Sequence, residues 1–294
     1  MRKTIILFAL FFTALCAHAA NVDATATYIY SSRHNQASIG AVMPLGINTL
    51  IGLEGKYVED RKDDGFEDPV YSVYLPMQFD LDLVKLNLTP FYYFKNDIGS
   101  ATYDDPYAYG IATQLVMNLQ QDEVAELYTR AYVGVSYARQ NGILTEKGNT
   151  DSTNFTQMAY TLGLQQNFYS AFTFHVAGTA YQYPDGISDV TAFRGIMDQN
   201  DLAFVQSYDV NRELGKYTLS ARITRIWTEK ASTLYLGYHF AEFHTADKAQ
   251  HSFLVGNSFP VGRQAKVDAA YNHLQNTDGK NKRDIFFINV NISF

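Results

Sequence analysis

The 294-residue chain is predicted to be all-β, a transmembrane antiparallel up-and-down β-barrel of 14–16 strands that follows a cleaved signal peptide. Three observations carry this prediction. The chain begins with a short apolar segment and a cleavage motif, the remainder alternates apolar and polar residues with a period of two, and the polar residues are those of a barrel lumen. The 22 tyrosines and 20 phenylalanines against one tryptophan are typical of carbohydrate-facing surfaces or of membrane interfaces.

The first twenty residues have the organisation of a secretory signal peptide. Arg2 and Lys3 form the positive region, residues 5–16 the apolar region, and residues 17–19 an A-x-A cleavage motif. The sequence therefore divides into a signal peptide, 1–20, and a single barrel domain, 21–294. The only cysteine, Cys16, lies in the signal peptide, so the mature chain is predicted to contain no disulfide.

Period-two alternation recurs along the mature chain. In residues 157–167, one face of the predicted strand carries Met158, Tyr160, Leu162 and Leu164, and the other face carries Gln, Ala, Thr, Gly and Asn. A soluble sandwich usually exposes Lys, Glu and Thr on its polar side, whereas a barrel lumen carries Gly, Asn, Gln, Tyr and scattered charges. After residue 20 no apolar run approaches eighteen residues, so no transmembrane helix is predicted.

The connections between strands are of two kinds. Tight ones lie at 167–171 and 228–232, and longer polar ones at 59–68, 141–152 and 275–283. Short periplasmic turns and long external loops are typical of an outer-membrane barrel. The turns at 43–46 and 259–262, both apolar-Pro-apolar-Gly, are assigned to the periplasmic end.

The C-terminal strand is the most specific feature of the sequence. Its apolar residues occupy every second position up to the last: Phe286, Ile288, Val290, Ile292 and Phe294. An ordinary edge strand of this kind would be an aggregation hazard, whereas in a barrel it closes against the first strand. Here the sequence resembles bacterial outer-membrane β-barrel proteins of the porin-like type, in which the barrel assembly machinery recognises such a strand.

This resemblance implies a location and a set of partners. We expect the protein in the outer membrane of a Gram-negative bacterium, in contact with outer-membrane lipids and lipopolysaccharide. Barrel assembly machinery and periplasmic chaperones would deliver it there. Nucleic acid is excluded as a partner by a formal charge of −7 and the lack of a basic run.

The strand count depends on one segment. A barrel with both termini in the periplasm needs an even number of strands. Residues 189–196 form either a short additional strand, which gives sixteen, or part of an external or infolded loop, which gives fourteen. Residues 184–201 are also the only candidate for a constriction loop folded into the lumen.

The leading function is a porin-like channel for passive diffusion of small hydrophilic solutes, with saccharides and anions as candidates, because a barrel of this size can hold an aqueous lumen. The alternation places a mixed set of charged and tyrosine side chains on the pore wall. The predicted pore lining is Glu54, Lys56, Lys85, Glu126, Tyr128, Arg130, Tyr132, Arg222, Lys266 and Asp268. Its charges show a slight positive excess, and its tyrosines could stack on sugar rings.

Two other function classes stay open. One is an outer-membrane enzyme that hydrolyses lipid or peptide on a barrel wall, although the six histidines of the mature chain lie in no HExxH motif and no nucleophile elbow is present. The other is a structural or adhesion barrel, favoured if residues 184–201 close the lumen. The acidic loop at 59–68 does not match an EF-hand, and no metal or cofactor is predicted.

Overall fold

A computed structural model describes residues 22–62, 65–66, 69–94, 103–122, 127–146, 149–168, 171–185, 196–203, 213–227, 232–244 and 249–294. The predicted signal peptide lies outside these residues. Nearly all of the described chain is extended, in agreement with the all-β prediction. No helix of the described residues is long and apolar enough to cross a membrane.

The described chain forms sixteen strand segments and a short helix. The strands are β1 Asp23–Ser31, β2 His34–Pro44, β3 Thr49–Lys62, β4 Gly65–Phe66, β5 Val70–Tyr74, β6 Met77–Leu81, β7 Val84–Tyr93, β8 Tyr103–Asp122, β9 Leu127–Glu146, β10 Asn149–Phe168, β11 Phe172–Gln182, β12 Gly215–Trp227, β13 Ser232–Phe243, β14 Gln250–Val261, β15 Ala265–Asn276 and β16 Arg283–Ser293. The helix is α1, Gln199–Ala203.

These segments make a closed barrel of fourteen strands. Each strand pairs antiparallel with its neighbours in the chain, and β16 returns to pair with β1. Segments β5 and β6 together fill one position between β3 and β7, interrupted at Pro76, which has no amide hydrogen to donate to a ladder. The two-residue β4 only extends a hairpin with β3. The count of fourteen is confirmed and the alternative of sixteen is wrong.

The two ends of the barrel differ as predicted. The first described residue, Val22, and the C-terminal Phe294 lie at one end, together with tight connections such as those after β2, after β6 and after β14. The turns after β2 and β14 contain Gly46 at φ 100° and Gly262 at φ 71°, a conformation that side-chain-bearing residues rarely adopt. The predicted turns at 43–46 and 259–262 therefore lie at the same end, which we call the turn end; the other is the loop end.

One predicted loop is wrong in extent. The long external loop expected at 141–152 is mostly strand, because β9 and β10 remain paired as far as Glu146 and Asn149. Strands β8, β9 and β10 have 20 residues each. A membrane strand needs only about 9–11 residues, so this part of the barrel continues well beyond one membrane thickness. Polar residues whose backbones still pair in a ladder look like a loop in the sequence.

The alternation separates an apolar outer surface from a lumen face that carries polar and buried apolar side chains. In β16, Phe286 and Ile288 are 52% and 51% exposed, whereas the intervening Ile285 and Phe287 are buried. At the closing seam the Thr25 hydroxyl donates to Asn291 Oδ1 on the lumen side at 2.8 Å. The prediction that the apolar terminal strand closes against the first strand is confirmed.

Candidate functional site: a narrowed lumen

The connection between β11 and β12 enters the barrel. Its residues 196–203, which we call the infolded segment, include α1, and all but Asp201 are buried. The segment contacts one half of the barrel wall, from β3 round to β11. Its wall partners are Lys56, Tyr74, Tyr93, Ser136, Gln140, Gln157, Thr161, Thr179 and Tyr181. Residues 189–195, most of the candidate extra strand, lie outside the described residues, and residues 196–203 support the infolded-loop alternative.

Lumen side chains satisfy the backbone of the infolded segment. A helix of five residues leaves most of its carbonyls without an internal partner. The Ser136 hydroxyl donates to Leu202 O at 2.7 Å, and the Tyr181 hydroxyl donates to Gln199 O at 3.2 Å. At the start of the segment, the Ile196 amide donates to Gln140 Oε1 at 3.1 Å. These bonds come from several strands and fix the segment in the lumen.

A buried charge cluster joins the infolded segment to β3. The Lys56 ammonium lies 3.2 Å from Asp198 Oδ2 and 3.1 Å from Asp201 Oδ2. The hydroxyls of Tyr74 and Tyr93 both donate to Asp201 Oδ2 at 2.6 Å. The Lys56 side chain is only 6% exposed, so its positive charge is compensated at short range and faces little solvent.

A cavity of about 500 Å³ remains beside the infolded segment. It is bounded by Asp201 of the segment and by the wall that runs from β15 through β16 and β1 to β8, with Arg222 of β12 contributing from a further strand. Its charged lining is Glu54, Lys56, Asp201, Arg222 and Asp268, and its other lining includes Ile29, Gln36, Phe91, Phe287 and Asn289. The segment narrows the lumen without filling this side of it.

Two lumen tyrosines have part of their ring surface covered by wall residues. Tyr132, of the predicted pore lining, stacks on His175, with centroids 5.1 Å apart, and covers Gly163, where a Cβ would come within 2.0 Å of the ring. Tyr235 lies 3.8 Å from the Arg222 guanidinium, measured to the ring centroid, and covers Gly256. Both rings therefore take part in the packing of the wall, and stacking of a sugar on Tyr128 or Tyr132 stays a prediction.

The predicted pore-lining residues lie on the lumen side wherever the structure describes them. Glu54, Lys56, Arg222 and Asp268 line the cavity. The other described residues lie within the first six positions of a strand that begins at the turn end. They are Lys85, Tyr128, Arg130, Tyr132 and Lys266. Lys85 is paired with Asp80 at 3.0 Å, and Arg130 Nε donates to Asn118 Oδ1 at 3.1 Å. Glu126 lies outside the described residues, and a role of any of these side chains in transport stays a prediction.

Sequence reasoning missed Asp198 and Asp201 as lumen groups. Neither belongs to an alternating strand, so nothing in the pattern indicates which way their side chains point. The only signal was that residues 184–201 did not fit an even-stranded barrel. Adding them to the predicted pore lining removes its slight positive excess, since five carboxylates then stand against five cationic side chains, and around the cavity itself four carboxylates stand against Lys56 and Arg222.

The fold is similar to that of two solved structures. The CymD monoaromatic hydrocarbon channel matches with a TM-score of 0.57 and 9% identity, covering 93% of this chain and 88% of that chain. CdiB from Acinetobacter baumannii matches with a TM-score of 0.52 and 10% identity, covering 94% of this chain but 60% of that chain. No protein-family model and no curated protein matches the sequence. At these identities the likeness concerns the fold alone, and the chain is a closed antiparallel β-barrel of fourteen strands.

Proposed function

We propose that the protein is a channel for passive diffusion of small hydrophilic solutes across the outer membrane of a Gram-negative bacterium. The observation that carries this proposal is the cavity beside the infolded segment, which lies inside a closed fourteen-stranded barrel and has a polar and charged lining. A lumen wide enough for solutes but narrowed by a fixed segment passes molecules by size and charge.

The charged lining favours hydrophilic solutes. Five charged side chains face the cavity, and transfer of such groups from water to a hydrocarbon surrounding costs several kcal/mol per ion. A lumen that keeps them therefore stays hydrated. This lining separates the proposal from a hydrocarbon channel, which is what the name of CymD says of that protein.

The position of the infolded segment favours a lumen that is narrowed but open, and not a lumen closed by a plug. Its hydrogen bonds go to strands β3 to β11, and the cavity extends past them to the wall of β15, β16, β1 and β2, where Thr27 and Asn289 face it. A structural or adhesion barrel without an open pore would need this side to be filled as well. The proposed surroundings of the barrel are outer-membrane lipids and lipopolysaccharide, which would contact its apolar outer surface.

Liposome swelling tests this proposal. Purified protein that keeps its heat-modifiable gel mobility is placed in vesicles, and swelling is followed in isosmotic arabinose, glucose and raffinose. We expect swelling with the monosaccharides and much slower swelling with raffinose, because the cavity is narrow. The same protein unfolded by boiling is the control. Absence of swelling with every solute, from protein shown to be folded, would contradict the proposal and favour a barrel without an open pore.

A further inference from the structure

We infer that the cavity binds small solutes that carry protonated amino groups. This inference names a solute class for the proposed channel and so rests on the proposed function. It is carried by an excess of hydrogen-bond acceptors around the cavity, some of them charged and some without a partner, and by an apolar patch beside them.

The first step is that acceptor side chains from several strands face the same space. One row of direct cross-strand partners crosses five successive strands, from β15 to β3: Asp268, Asn289, Thr27, Ser38 and Lys56. The next lumen position of β3 toward the turn end is Glu54, and Asp201 of the infolded segment closes the cavity on another side. The carboxylates Glu54, Asp201 and Asp268 thus surround one space instead of lying on one strand.

The second step is a pair of acceptors without partners. Gln36 is 8% exposed and lines the cavity, and its Oε1 makes no hydrogen bond to the part of the chain that the structure describes. The buried Oδ1 of Asn289, also in the lining, has no hydrogen-bond partner among the described residues either. Buried polar groups are nearly always satisfied, because an unmade hydrogen bond costs about 1–3 kcal/mol. Two such oxygens beside three carboxylates fit a ligand that donates several hydrogen bonds and carries positive charge.

The two cationic groups of the lining do not reverse this preference. Lys56 is held between Asp198 and Asp201, so its charge is compensated before a solute arrives. The Arg222 guanidinium lies over the Tyr235 ring, and the Tyr235 hydroxyl donates to Asp268 Oδ1 at 2.6 Å. Among the described residues, the cavity with Asp198 therefore has two more carboxylates than cations. A solute with a carboxylate as well as an amino group would meet Arg222 on that side.

The third step concerns the solute's size and its apolar part. Ile29, Phe91 and Phe287 also line the cavity, and each is buried. They give a hydrocarbon chain a surface to contact between the polar groups. A short aliphatic diamine combines the required parts: donors with positive charge at its ends and methylenes between them.

The probe we choose is 1,4-diaminobutane, with succinate as a four-carbon molecule of opposite charge. The current through the full-length barrel is measured in planar bilayers in KCl, and each compound is added in turn. We expect block by the diamine at a concentration at which succinate has no effect. Gln36→Leu should weaken the block about threefold, as expected for one lost hydrogen bond, and Glu54→Gln combined with Asp268→Asn should weaken it about tenfold or more. Glu242→Gln, on the outer surface, is the matched control and should leave the block unchanged.

The outcomes separate this inference from the proposed function. A conducting barrel that both compounds block equally, or a diamine block that the cavity variants leave unchanged, would overturn the inference and leave the channel standing. A folded barrel that never conducts would contradict the proposed function. In that case calorimetry of 1,4-diaminobutane binding to the barrel in detergent still decides the inference, since binding that is lost in the Glu54→Gln/Asp268→Asn variant supports it and an absence of binding overturns it.

Discussion

At the scale of single residues, Lys56 shows that the period-two alternation predicts the side of the sheet on which a residue lies but not its pairing partners. Strand β3 places Lys56 on the lumen face because side chains alternate with a period of two, and the sequence predicted this side. The partners Asp198 and Asp201 lie 142 and 145 residues further along the chain, in a segment without alternation. A pairing over that distance depends on the closure of the whole barrel, so no local pattern contains it.

The first prediction is that Lys56→Met loosens the infolded segment. The substitution leaves the buried Asp198 and the partly buried Asp201 without their cation, and the loss of one partner from a buried pair costs roughly 3–5 kcal/mol. We expect a larger and noisier unit conductance, and faster cleavage within residues 196–203 by an added protease. Lys85→Met is the control, because the Lys85–Asp80 pair is 42% and 38% exposed and such pairs contribute about 0–1 kcal/mol. If the two variants behave alike, the charge cluster does not hold the segment.

The second prediction concerns the contact of Tyr132 with Gly163 on the neighbouring strand. A Cβ at position 163 would lie 2.0 Å from the Tyr132 ring, so Gly163→Ala forces the ring to move, at a cost of about 1–3 kcal/mol. We expect a lower urea midpoint, read from gel mobility. In a Tyr132→Ala background the same substitution should have no such effect, and a loss of equal size in both backgrounds would show that the ring contact is not its cause.

At the scale of elements, β16 is the strand whose outward face the sequence predicts most directly. Its outward positions from Phe286 to Ile292 are all apolar, whereas its lumen face carries the buried Ile285 and Phe287 as well as Asn289 and Asn291. The infolded segment is the opposite case, since hydrogen bonds to six strands and the apolar packing of Ile196, Met197, Leu202 and Ala203 bury it without a periodic pattern. The loop at 141–152 was predicted too long because its sequence has no period-two alternation, although the backbone pairing continues as far as Glu146 and Asn149.

The third prediction compares the two faces of β16. Removal of Phe294 deletes an outward aromatic ring and the bond from the Phe294 amide to Val22 O at 3.0 Å at the barrel seam. On the proposal that the assembly machinery recognises this strand, we expect little protein in the outer membrane and degradation in the periplasm. Asn291→Ser changes only the lumen face and should be tolerated. Quantitative blotting of membrane fractions measures both, and equal yields would refute a special role of the terminal residue.

At the scale of the whole molecule, the net charge of −7 is a poor guide to ion selectivity. Charges in a confined cavity act on permeating ions more strongly than exposed charges, which salt screens within about 8–10 Å. The sequence predicted a mixed wall and placed Arg222 on it. The sequence could not predict the balance of charges in the lumen, because Asp198 and Asp201, which alter this balance, belong to the infolded segment.

The fourth prediction is that substitutions of two arginines shift the ion selectivity by different amounts. Arg222→Gln removes a cation from the cavity, whereas Arg130→Gln removes one near the turn end. We expect the reversal potential under a KCl gradient to shift toward cation preference in the Arg222 variant and much less in the Arg130 variant. The opposite order would place the constriction at the turn end.

The most direct test of the central claim, that this barrel has an aqueous lumen narrowed by its infolded segment, is the unit conductance of the purified protein in planar bilayers. The account predicts discrete and steady current steps in KCl, smaller than those of a water-filled fourteen-stranded barrel without an infolded segment. Folded protein that inserts but gives no steps, or steps as large as those of an unobstructed barrel, would contradict it.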